Sequence, residues 1–195
     1  MITKKFVTQI INLAKGEAAK SGAPSQVHLD ISLTQGKRLA QQLKADENLV
    51  ALGICFMDIK LGEAMQANQL AQHVTMSLAY TIDVLGPNPE LTDQEKSVVY
   101  NAIESHHGAV PHTSLASEIV TAADCYRFLH PAGIMEFLRI LSHRLVDLPA
   151  IVDQAEAKLN EKWGLVTLPT VKTELKPYYQ QFKSIFAATR RFYQR

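Results

Sequence analysis

Leu49-Val50-Ala51-Leu52-Gly53-Ile54-Cys55-Phe56-Met57-Asp58 is the stretch on which the fold turns. Apolar residues run unbroken from Leu49 to Met57, and an aspartate ends them. A segment apolar on every side is one buried on every side. Strong β-branching is absent, so the reading is a central helix over residues 47–58 rather than a buried strand. The run is far shorter than the roughly 20 residues that span a bilayer, so it marks the middle of a helical core.

Working outward, the same helical period recurs on both sides. Toward the N-terminus, His28, Ser32, Gly36, Ala40 and Leu43 fall on one face of a second helix, whose small residues admit a close neighbour. Phe6, Val7, Ile10, Ile11, Leu13 and Ala14 predict a helix over 3–20, which Ser21-Gly22-Ala23-Pro24 ends. Toward the C-terminus, Leu70, His73, Val74, Ser77, Leu78 and Ile82 line one face of a helix expected over 63–85, and Gly86-Pro87-Asn88-Pro89 breaks it. Thr92-Asp93-Gln94-Glu95 has the form of a capping box and opens a helix to about 105. A loop at 108–113 and helices over 114–128, 132–145 and 147–163 follow. Pro169 and Pro177 frame a loop before a last helix at about 178–193, and Leu165–Val171 is the one weak strand candidate. The expected class is all-α.

Composition narrows the function classes. The chain has 195 residues, with 20 Lys+Arg against 19 Asp+Glu, a formal net charge of +1. Hydrophobic residues make up 47% and charged residues 20%, which is ordinary for a globular protein and argues against disorder. Near-neutral charge argues against a polyanion-binding surface, so nucleic acid is an unexpected partner. Residues 170–195 are locally basic (Lys172, Lys176, Lys183, Arg190, Arg191, Arg195 against Glu174), with interleaved aromatics, and read as an amphipathic packing helix with a solvated basic face. Two cysteines, Cys55 and Cys125, cannot build a disulfide scaffold. The start of the chain lacks the apolar run of a signal peptide, and no membrane association is expected. A soluble, cytoplasmic protein is the expectation.

Chemistry concentrates in an ordered set of side chains. His28 comes first, then Asp58 at the end of the apolar run, His73, the pair His106-His107 at a helix end, and Asp124 beside Ala122 and Ala123. A carboxylate inside apolar helix is costly unless something satisfies it. A divalent ion would satisfy both aspartates, and imidazoles with carboxylates suit Mn, Fe, Zn or Ni, with a carboxylate able to bridge two ions. His112, His130 and His143 lie outside this pattern.

In this order the residues resemble the HD-domain metal-dependent phosphohydrolases, over about residues 20–130. His28-x-x-x-Ser32-x-x-x-Gly36-x-x-Leu39-Ala40 is similar to that family's first helix, and Leu49–Asp58 to its central helix with the name-giving doublet. Asp58-Ile59-Lys60, Gln72-His73, Ile103-Glu104-Ser105-His106-His107-Gly108 and Ser117–Asp124 resemble the segments that follow.

The resemblance implies an HD-domain-like helical core, placed at 1–145, with a C-terminal helical extension at 146–195. It implies one or two divalent ions (Mn, Fe, Ni, Zn or Mg) and hydrolysis of a phosphate ester on a small phosphorylated molecule or nucleotide. His28, Asp58 and Asp124 would form one metal position, and Asp58, His73, His106 and His107 the other. Asp58 would act in catalysis through the ions, and Lys60 would neutralise a phosphate oxygen. Arg127, one turn beyond Asp124, is a similar cation. A homodimer is compatible with this reading. Met57 stands where the family has the doublet histidine, and its thioether is a poor ligand for a hard ion. The alternative is therefore a degenerate, non-catalytic HD domain acting as a binding or regulatory module. The Gly-Tyr-Pro tripeptide of the cyclic-dinucleotide-cleaving branch is absent after His107, so that substrate is not assigned.

Overall fold

The structure, a computed structural model, describes residues 2–193. Arg195 of the basic tail lies outside them. The helices are α1 (Lys4–Ser21), α2 (Gln26–Leu43), α3 (Glu47–Met57), α4 (Leu61–Gln66), a 3-10 turn (Leu70–Gln72), α5 (His73–Leu85), α6 (Asp93–Ser105), α7 (Leu115–Leu129), α8 (Pro131–Ser142), α9 (Leu148–Leu165) and α10 (Pro169–Tyr193). No strand occurs among the described residues, and the fold is all-α as expected. Contacts divide the chain into two units, one ending at Ala123 and one beginning at Asp124, with the boundary inside α7.

In the first unit α3 is the centre, packed against α1, α2, α5 and α6. Asp46 opens it, its carboxylate accepting the amides of Asn48 and Leu49 at 2.8 and 3.1 Å. Val50, Leu52, Ile54, Phe56 and Met57 are all buried, which is what an element apolar on every side requires. Two glycines set how closely it is approached. A Cβ on Gly36 of α2 would stand 2.3 Å from Ile54 Cδ1, and one on Gly53 would stand 2.7 Å from Val120 Cγ2. The capping box at α6 forms as expected: Glu95 N–H donates to Thr92 Oγ1, and Thr92 N–H donates to Glu95 Oε2 at 2.7 Å.

The continuous helix expected over 63–85 is two helices. Asn68 adopts a left-handed conformation (φ 57°), which asparagine tolerates, and this breaks the chain between α4 and the 3-10 turn. The buried face of α5 is Ser77, Thr81 and Leu85, while Leu70 and Ile82 are exposed. Of the face read from the sequence, Ser77 is buried and His73, Val74 and Leu78 are half-buried, so the packing face overlaps the apolar one only in part.

In the second unit α9 packs against both α8 and α10. The last helix begins at Pro169, not near 178, and Pro177 lies inside it. Pro169 suits a first helical turn, where its missing N–H is not needed. Pro177 removes one ladder bond, but the stripe Val171, Leu175, Phe182 and Phe186 is buried on both sides of it. The basic residues of α10 are largely engaged rather than solvated. Lys183 pairs with Glu156 at 2.5 Å, Arg190 with Asp153 and Glu156, and Lys172 lies over the Trp163 ring.

Candidate metal centre

Three helix ends supply the site. Asp58 is the C-cap of α3, His73 opens α5, and His106-His107 follow α6. Because α3, α5 and α6 pack on one another, these ends meet. Asp58, His73, His106 and His107 each present a ligand atom, all within 4.8 Å of one another.

The imidazoles are oriented by backbone. His73 Nδ1 lies 2.7 Å from the Leu70 carbonyl and His106 Nδ1 lies 2.6 Å from the Ile103 carbonyl. A carbonyl only accepts, so each Nδ1 carries a proton, which leaves Nε2 as the atom able to offer a lone pair to a metal. Second-sphere bonds of this kind fix the tautomer of a metal-binding histidine. His73 Nε2 is 3.5 Å and His106 Nε2 3.6 Å from Asp58 Oδ1. His73 Nε2 and His107 Nε2 are 3.1 Å apart.

These atoms fit a metal ion on two observations. His106 Nε2 is buried and has no hydrogen-bond partner among the described residues, a costly state for a nitrogen lone pair unless it serves as a ligand. Neighbouring ligands about 2.0–2.2 Å from one ion are roughly 3–4 Å apart, the range of the three separations above. Nitrogen and carboxylate oxygen together suit a transition-metal ion.

The other residues singled out in the sequence are not among those four. His28 is buried on α2 and is not in the cluster. Asp124, in the second unit, is buried with Arg127 Nη1 at 3.0 Å and Lys162 Nζ at 2.5 Å. Lys162 is 38 residues downstream, a partner no local pattern announces. Burial acts to lower the Lys162 pKa, but the Asp124 carboxylate, together with Cys125 and Glu161, outweighs it and holds the ammonium above its ordinary value. Arg127, read from the sequence as a cation like Lys60, is ion-paired with Asp124. His112 bonds Thr121 Oγ1 at 2.8 Å, His130 caps α8, and His143 lies 3.2 Å from Arg139.

Lys60 sits two residues past Asp58. Its amide donates to Ser77 Oγ at 3.2 Å, anchoring the turn after α3 to α5. Its ammonium is 2.7 Å from Glu63 and 4.5 Å from the centre of the Tyr80 ring. The hydrogen bond to Glu63 raises its pKa, so it is a cation at neutral pH. The signals missed in the sequence were Ser77, Leu70 and Ile103, two of which act through backbone carbonyls that any residue could provide.

The fold and site together define the class: a helical domain that gathers one carboxylate and three imidazoles where helix ends meet. Compared with solved structures, the chain has the fold of a protein described as a predicted HD superfamily hydrolase from an uncultured Thermotogales bacterium. The TM-score is 0.64 at 17% identity, covering 93% of this chain and 91% of that one. In sequence it is similar to ribonuclease Y of Lactobacillus acidophilus (34% identical over 115 residues, 58% of this chain) and of Enterococcus faecalis (43% over 84 residues, 43% of this chain). The chain spans 16–19% of the length of these relatives. No family model matches. The resemblance read from the sequence is thus met at the level of fold.

Proposed function

We propose that this chain is a metal-dependent phosphohydrolase that cleaves a phosphate ester. The observation that carries the reading is the convergence of Asp58 Oδ1 with the Nε2 atoms of His73 and His106 and with His107, two of the rings pre-oriented through Nδ1. A divalent ion held there would lower the pKa of a bound water and supply hydroxide near neutral pH. Asp58 and the three histidines would hold that ion. Lys60, two residues past Asp58 and paired with Glu63, would exchange that carboxylate for a phosphate oxygen and balance the charge that grows on it during cleavage. The nitrogen-rich donor set favours Mn, Fe, Ni or Zn over Mg.

The substrate we infer is a small phosphorylated molecule or nucleotide. The likeness to ribonuclease Y adds the phosphodiester of RNA to the candidates. Two buried free thiols, Cys55 and Cys125, suit a reducing, cytoplasmic setting.

One feature favours a second reading. Met57 is buried where the resemblance implies histidine, which supports a domain that binds its ligand without turning it over. The two readings separate in one experiment. Protein purified without chelator is assayed for metal and then tested, with Mn or Fe added, on phosphomonoesters, nucleotides and a short oligoribonucleotide. Bound metal with turnover supports the phosphohydrolase. Bound metal without turnover, and a large gain of activity in Met57→His, supports the binding module. Less than about a tenth of an equivalent of metal sinks both.

A further inference from the structure

A cavity of about 240 Å3 lies in the first unit where the end of α1 meets α4, lined by Glu17, Lys20, Ser21, Ile59, Glu63 and Gln66. It has the volume of roughly eight waters at about 30 Å3 each, room for one sugar ring. None of its lining residues belongs to the cluster of Asp58 and the three histidines. Ile59 nevertheless follows Asp58 directly in the chain, and Glu63 lies 2.7 Å from the Lys60 ammonium. Close packing sets the walls. Ser21 commits its hydroxyl to the Glu17 and Ala23 carbonyls, at 2.8 and 3.0 Å. A Cβ on Gly62 would stand 2.1 Å from Ser21 Oγ, so α4 comes this near to α1 only at a glycine.

The lining says what chemistry fits. Glu17 and Glu63 are balanced by Lys20 in the wall and by Lys60 beside Glu63. The Glu63 hydrogen bond, and with it the charge of Glu17, favours the Lys60 ammonium. With the charges matched, neither a free anion nor a free cation is favoured there. The carboxylates accept hydrogen bonds, the Lys20 ammonium donates them, and the Gln66 amide does both. Ile59, 5% exposed, adds an apolar side chain to the same wall. A neutral ring that carries several hydroxyl groups and a C–H face matches this mixture, as a few convergent polar groups beside apolar surface match a small ligand. If a phosphate oxygen takes Lys60, Glu63 is released to accept from a hydroxyl.

We propose that this cavity holds the sugar ring of a sugar phosphate or nucleotide, with Glu17, Glu63 and Gln66 bonding its hydroxyl groups. The proposal rests on the phosphohydrolase reading and adds to it the class of alcohol that carries the phosphate.

The test has one arm that needs no turnover and one that does. Methyl riboside is titrated into the full 15N-labelled chain, and saturable amide shifts are expected at Lys20, Ile59, Glu63 and Gln66. Glu17→Ala with Gln66→Ala keeps good helix formers at both positions and is expected to weaken that binding about tenfold, in line with two lost hydrogen bonds. With Mn2+ added, the same double variant is expected to lose about tenfold in kcat/KM on ribose 5-phosphate and to stay within about twofold of wild type on phenyl phosphate, which has no sugar to hold. Absence of shifts at those amides, or an equal loss on both substrates, would overturn the proposal and leave the metal centre standing. Shifts without turnover of either ester would instead overturn the phosphohydrolase reading, and with it the cavity's part in a reaction.

Discussion

His73 and His106 each commit Nδ1 to a backbone carbonyl three residues earlier, and that small local device is what suits the cluster to a metal ion rather than leaving it a patch of histidines. A residue that loses its ring loses a ligand held at no further entropic cost on binding. His106→Ala is expected to weaken Mn2+ binding at least 100-fold with helix content unchanged, as read by titration calorimetry and circular dichroism. Lys60→Met is expected to lower kcat on a phosphate ester about 100-fold, in line with loss of one group aimed at developing charge, and to leave metal binding unchanged. Cys55 supplies a control on the interior. Burial pushes its thiol pKa up to about 12, and Cys125 is raised as well. A thiol held protonated is unreactive, so a thiol reagent at pH 8 is expected to find no cysteine in the folded chain and both after denaturation.

At the scale of elements, much of the fold was legible and the reasons for the rest are physical. The run Leu49–Met57 could only be satisfied by burial all round, and α3 is the centre of its unit. The Thr92–Glu95 box carried its own hydrogen-bond chemistry in four residues, and it formed. The division of 61–85 into α4, a turn and α5 was not legible, because it depends on one asparagine in the left-handed region rather than on a missing apolar period. Pro177 was read as a helix breaker, yet the apolar stripe of α10 buried on either side of it outweighs one lost ladder bond. In the site, order along the chain singled out Asp58, His73, His106 and His107, which the fold brings together. It could not reveal that Asp124 would be partnered by Lys162, since that pairing joins α7 to α9 across distant sequence. The closeness of α3 to its neighbours is itself testable. Gly53→Ala places a Cβ 2.7 Å from Val120 Cγ2, and overpacking of this kind is expected to cost about 1–3 kcal/mol in chemical denaturation.

For the whole molecule, the proposed metal centre would tie stability to metal. Its ligands come from the ends of α3, α5 and α6, so an ion that binds only when those ends are together favours the folded state. At about 100 times its dissociation constant such an ion contributes about 2.7 kcal/mol, roughly 5–10 °C in melting temperature at this chain length. Scanning calorimetry with and without Mn2+ is expected to show that rise in wild type and not in Asp58→Asn. Among the described residues no helix is long and apolar enough to cross a membrane, and the chain matches only a fifth or less of the ribonuclease Y sequences it resembles. The most direct measurement of the central claim is anomalous diffraction from a crystal grown with Mn2+. The account predicts a peak about 2.0–2.2 Å from Asp58 and from the Nε2 atoms of His73, His106 and His107. A map with no peak among those four side chains would contradict it.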